Sequence, residues 1–108
     1  MKKIVLVMIA VMLSFSAHAD ADKGKKYYLK YLRPYFEING QEFASEHLKV
    51  EWKRFFKNDG KKFIKKFSKQ YPQAQEFLES DTFQKIAPDV ADFAIKYAAD
   101  SGELADCN

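Results

Sequence analysis

The sequence predicts an all-α domain behind a removable leader, and three observations carry that reading. No segment sustains the period-two alternation of a half-buried strand, and β-branched residues are sparse. Aromatic residues recur instead at spacings of three and four. The third observation is a closing helix, Pro88 to Asp100, whose start, face and stop agree. Pro88 suits its first position, Asp89 and Asp92 suit its positive N-terminal dipole, and Gly102 suits a left-handed C-cap after Ser101. Val90, Phe93, Ala94, Tyr97 and Ala98 form one apolar stripe.

Residues 1–19 read as an address and not as fold. Lys2 and Lys3 make a positive start, Ile4 to Phe15 an apolar run, and Ala17-His18-Ala19 a small-x-small cleavage site. An uncleaved membrane helix is the rival reading, and the run is short for a stable span. No cysteine sits at the cleavage site, which argues against a lipid anchor. The expectation is an exported, periplasmic protein with a signal peptide over 1–19 and a single helical domain over 20–108. That domain carries 16 basic against 15 acidic residues, a net of +1. It holds nine Phe, six Tyr and Trp52, enough bulky apolar surface for a small core without disulfides. Cys107 is the single cysteine, so no internal disulfide is available in an oxidising compartment.

Taken in order, Asp20 or Asp22 caps a first helix that runs to about Arg33, where Pro34 ends it. Its apolar positions are Tyr27, Tyr28, Tyr31 and Leu32. Asn39-Gly40 reads as a turn before a short helix, Gln41 to His47. The next helix takes Leu48 to Lys57 with Leu48, Trp52, Phe55 and Phe56 on one face, and Asn58-Asp59-Gly60 stops it. Lys61 to Gln70 follows with Phe63, Ile64, Phe67 and Tyr71 inward. Pro72 opens a short helix, Gln73 to Glu79, and Ser80 or Asp81 caps one more turn, Thr82 to Ile86.

Charge is strongly bipolar along the chain. From Lys49 to Lys69 nine basic residues face only Glu51 and Asp59, a net of +7. From Gln70 to Asn108 eight acidic residues face Lys85 and Lys96, a net of −6. Lys53, Arg54, Lys57, Lys61, Lys62, Lys65, Lys66 and Lys69 are therefore the candidate partner-binding residues. The plainer reading is a solvated lysine face balanced by the acidic half of the same molecule. An acidic partner protein is the functional reading, with peripheral contact to anionic lipid headgroups as a further one. Nucleic acid does not fit an exported chain with only Arg33 and Arg54 as mature arginines and no groove-reading motif.

Other chemistry is thin. The aromatic stripes read as core, or as the lining of a site for haem, lipid or another hydrophobic ligand. Trp52 is either an interface anchor beside Lys53 and Arg54 or the centre of the bundle. His47, alone in the mature chain, has no second ligand at metal spacing; it reads as a local hydrogen-bonding or capping residue, or as an axial haem ligand or a general base. Cys107 is a candidate for an intermolecular disulfide, giving a covalent dimer or a mixed disulfide, or an incidental tail thiol. Nucleophile elbow, zinc-protease, phosphate-loop and Cys-x-x-Cys motifs are missing, and the expectation is that the protein is not an enzyme.

The start, Asp22-Lys23-Gly24-Lys25-Lys26-Tyr27-Tyr28, resembles the opening helix of small exported cytochromes c. The end, Asp89 to Tyr97, is similar to their closing helix, which packs across the first. The whole chain resembles small exported bacterial proteins of cytochrome c-like sequence through Phe43-Ala44-Ser45-Glu46-His47, Glu51-Trp52 and Asp100-Ser101-Gly102. Where Cys-x-x-Cys-His should stand, this chain has Tyr31-Leu32-Arg33-Pro34-Tyr35-Phe36, so covalent haem attachment is excluded. The resemblance implies a small orthogonal, cytochrome c-like helical bundle with Tyr35, Phe36 and their neighbours in the space of the haem. The function expected is non-catalytic: a periplasmic accessory protein without a cofactor that docks an acidic partner. The alternative is a carrier of non-covalent haem or another hydrophobic ligand through His47, linked to electron transfer.

Overall fold

A computed structural model describes residues 20–105, and these are helical with no strand among them. The leader reading for residues 1–19 and the thiol of Cys107 lie outside the described residues. Helix α1 (Ala21–Tyr27) starts at Asp20, whose carboxylate accepts from the backbone N–H groups of Asp22 and Lys23. A π-turn (Tyr28–Leu32) leads directly into α2 (Arg33–Phe36), so Pro34 does not end the helix. The Arg33 N–H reaches back five residues to the Tyr28 carbonyl. That wider turn makes room for a proline ring that has no N–H to give. Termination comes at Glu37, in the left-handed region with φ 61°.

Helix α3 (Gly40–Ala44) is shorter than the sequence suggests and leaves His47 outside any helix. Asn39 Oδ1 accepts from Glu42 N at 2.8 Å, and the Glu42 carboxylate faces back to Asn39 N at 3.5 Å, a capping box. Helix α4 (Lys49–Gln70) bends through an elbow at Lys57–Gly60. Asn58, Asp59 and Gly60 have φ of 54°, 59° and 73°, which divides α4 into two limbs, 49–56 and 61–70. These residue types tolerate the left-handed region, and the stop read from Asn58-Asp59-Gly60 is present. Gln84 Nε2 donates to the Asp59 carbonyl at 3.0 Å and pins the elbow to the last helix. A 3₁₀ turn (Pro72–Ala74) and α5 (Gln75–Leu78) connect to α6 (Asp81–Lys96).

In α6 the turn expected over 82–86 and the helix expected from Pro88 are one helix. Pro88 sits exposed inside it, with Phe83, Ile86 and Ala87 buried before it and Val90, Phe93 and Ala94 after. An interior proline costs about 3 kcal/mol, and burial of that many apolar side chains outweighs it. The helix also ends four residues short of Asp100; Gly102, with φ 75°, belongs to the following turns and caps nothing in α6. Asp89 and Asp92 thus lie mid-helix and do not serve the dipole of their own helix.

The core is aromatic and dry. Among the described residues the polar atoms buried with it include the tips of Tyr28 and Trp52 and the Ser68 hydroxyl, the last without a hydrogen-bond partner. Both tips are satisfied: Trp52 Nε1 donates to the Ala44 carbonyl at 2.8 Å and Tyr28 Oη to the Ile38 carbonyl at 2.7 Å. Phe43 sits at the centre, with ring centroids 4.4 Å from Tyr28 and 4.8 Å from Trp52. Phe63 and Phe67 stack at 4.3 Å, and Phe36 stacks on Tyr71 at 4.5 Å. Tyr35 is half-buried against Phe77. Burial of the Tyr28 ring pushes its phenol far above the ordinary range.

The tightest packing lies where α1 crosses α6. A Cβ built on Gly24 would come within 1.9 Å of the Asp89 carbonyl oxygen and 2.8 Å of Phe93 Cβ. The two backbones touch there, and only glycine permits it.

Candidate docking face

The two limbs of α4 carry the lysine face, and their inward residues dictate where it points. Trp52 is buried and Phe55 and Phe56 are half-buried, so Lys53, Arg54 and Lys57 face out of the first limb. Phe63 and Phe67 are buried, so Lys61, Lys62, Lys65, Lys66 and Lys69 face out of the second. The elbow then folds the limbs so that Arg54, Lys57, Lys61 and Lys62 surround one concavity together with Asn58. Beside it runs an open groove bordered by Lys62, Lys65, Lys66, Lys69 and Gln70, with the Phe55 ring as its apolar wall. A third hollow shares Lys61, Lys65 and Lys69 and reaches Gln75 and Glu79 of the acidic half. Lys53 stands exposed on the first limb but lines none of these hollows.

None of these eight basic residues forms an ion pair within 4.0 Å among the described residues; the contact nearby is between His47 and Glu51, an ion pair only when the imidazole is protonated. The acidic half therefore does not cancel the face through direct pairs. Asp100 turns back to α4, but its Oδ1 accepts from the Lys49 backbone N–H at 2.9 Å and caps the helix. Lys61–Lys65, Lys62–Lys66 and Lys65–Lys69 are like charges one helical turn apart. Each such pair costs roughly 0.2–0.5 kcal/mol, so the face carries a stability cost of about 1 kcal/mol.

Where sequence reasoning offered two roles for Trp52, the structure decides: the ring is fully buried and is not an exposed anchor. Leu48, expected inward, is 44% exposed because it is the N-cap residue of α4, its N–H donating to Glu51 Oε1 at 2.8 Å. Val50, in the first turn of α4, is 55% exposed.

His47 sits half-buried behind the groove. Its ring lies edge-on to Trp52 at 5.0 Å and to Phe55 at 4.9 Å, and Nδ1 is 3.6 Å from Glu51 Oε1. Burial lowers its pKa, Glu51 opposes the fall and Lys66 adds to it. Glu46 is given no role by the sequence; burial raises its pKa, and the nearby Lys66 opposes the rise. A fold that brings residue 46 to residue 66 leaves no local signal for either. Among the described residues no group of three or more His, Cys, Asp or Glu is placed to hold a metal ion. No helix among them is long and apolar enough to cross a membrane.

The chain matches no family model, no curated protein and no solved structure.

Proposed function

We propose that the chain is a non-catalytic accessory protein of the bacterial envelope that docks an acidic partner protein through the lysine face of α4. One observation carries the reading: a continuous set of exposed, unpaired cations lines adjoining hollows with an aromatic wall. Such a surface costs folding stability, and carboxylates from a partner would relieve the repulsion while apolar groups cover Phe55. Lysines suit this task because a flexible point charge adapts to carboxylates that are not preset in a bidentate frame. Export rests on the leader pattern of residues 1–19. A cytochrome c-like architecture without covalent haem is part of the same proposal, and the crossing of the first helix on the last at Gly24 and Phe93 supports it.

The test is calorimetric titration of the mature protein with poly-L-glutamate at about 20 and 300 mM salt, set by the range over which exposed charges are screened. Binding that weakens steeply with salt and is lost on combined Lys61→Glu and Lys65→Glu substitution is the expected outcome. No binding at the lower salt ends the proposal. A second reading has one observation in its favour: the Phe55 ring that walls the groove packs on His47. On that reading the groove takes haem or another hydrophobic ligand without a covalent bond, and a Soret band lost on His47→Ala is its signature.

A further inference from the structure

The backbone nitrogen of Asp20 sits among carboxylates. It donates to Asp89 Oδ1 of α6 at 2.7 Å. The Asp20 carboxylate itself folds over the start of α1, accepting from Asp22 N at 2.9 Å and Lys23 N at 3.4 Å. Asp92, one turn beyond Asp89, faces the same place; burial raises its pKa, and Asp89 and Asp20 add to the rise. Asp20 and Asp22 from the start of α1 and Asp89 and Asp92 from α6 thus gather negative charge around one nitrogen.

We infer that removal of the leader between Ala19 and Asp20 puts a positive charge at the centre of this arrangement: the α-ammonium left on Asp20 pairs with Asp89 and clamps α1 to α6. The inference rests on reading residues 1–19 as a cleaved leader. Hydrolysis by a leader peptidase adds the elements of water across the Ala19–Asp20 bond. The hydroxyl goes to the Ala19 carbonyl carbon and hydrogen to the Asp20 nitrogen, which is protonated at neutral pH. Before cleavage that nitrogen is a neutral amide with one hydrogen to donate. Afterwards it is a cation already within hydrogen-bond reach of Asp89, and such charge-assisted bonds are the stronger kind.

A cation at a helix N-terminus opposes the helix dipole. Here the carboxylates of Asp20, Asp22 and Asp89 reverse that balance. The clamp falls one helical turn from Gly24, where the two backbones touch, so it holds the segment on which the crossing depends. Processing would then do more than remove an address; it would complete a contact of the folded domain. The sign in pH follows. An α-ammonium with a raised folded pKa contributes stability in full below the ordinary α-amino pKa of about 7.7–8.0, and that contribution disappears as pH rises through the folded value.

The test compares the exported, processed protein with a form in which Gly-Ser-Gly precedes Asp20, so that residue 20 keeps an amide. Mass analysis of the exported protein comes first and should give Asp20 as the first residue; any other start overturns the leader reading on which the inference rests. Titration of the Asp20 α-amino group by NMR should then give a midpoint about one unit above its ordinary value, returned to that value by Asp89→Asn. Asp89→Asn should lower the melting temperature at pH 7 more in the processed protein than in the extended one. A correct mass with an ordinary midpoint, or equal losses in both forms, overturns the ammonium pair alone.

Discussion

Replacing Gly24 by alanine puts one methyl group where α1 and α6 touch. The added carbon would lie 1.9 Å from the Asp89 carbonyl oxygen, 2.5 Å from its carbonyl carbon and 2.8 Å from Phe93 Cβ. Overpacking costs roughly 1–3 kcal/mol where side chains can shift, and here the two nearest opposing atoms are backbone, so the cost is about 3 kcal/mol. Alanine returns about 1 kcal/mol through its better helix propensity. The net loss is about 2 kcal/mol, or a fall in Tm of roughly 8–16 °C for a domain of this size. Thermal melts and urea unfolding followed by circular dichroism measure it. Lys23→Ala, exposed one residue earlier, should stay within about 0.5 kcal/mol. A Gly24→Ala protein as stable as the parent would refute the crossing.

Three further outcomes follow from named contacts. Asp100→Ala removes the distant cap on the Lys49 N–H and should cost about 1 kcal/mol in urea unfolding; no change means that the cap contributes nothing. His47 has a folded pKa below its unfolded value of about 6.5, so its contribution to stability is full above that value and fades as pH falls through the folded one. Urea midpoints at pH 7.5, 6.5 and 5.5 should therefore fall with acid more in the parent than in His47→Phe, and parallel profiles would contradict this. Lys65→Glu turns two repulsive pairs, with Lys61 and with Lys69, into attractive ones and should raise stability by about 1 kcal/mol while weakening binding to an acidic probe. Stability and binding moving together would mean that the face is not a docking surface.

The helical class and most inward positions were legible because they depend on local spacing. Trp52, Phe63, Phe67, Val90 and Phe93 are buried as their periodicity says, and Asn58-Asp59-Gly60 breaks α4 because those residue types accept positive φ. The lysine face was legible for the same reason, since it is the complement of the aromatic face. Pro34 and Pro88 misled because their rule is local while the outcome is not. A π-turn accommodates the first, and buried residues on both sides of the second hold α6 together. Gly24 entered only through a resemblance, as nothing in its neighbours announces that Asp89 will lie against it. That the acidic half leaves the lysines unpaired is a fact of tertiary placement, invisible in a charge count.

The most direct measurement is an NMR titration of the ¹⁵N-labelled mature protein with an acidic probe peptide at low salt. Docking through α4 predicts amide shifts concentrated at Phe55, the elbow over 57–60 and Lys61 to Lys69, reversed by added salt. Shifts spread evenly over all exposed lysines, including Lys23 and Lys96 away from α4, would contradict it.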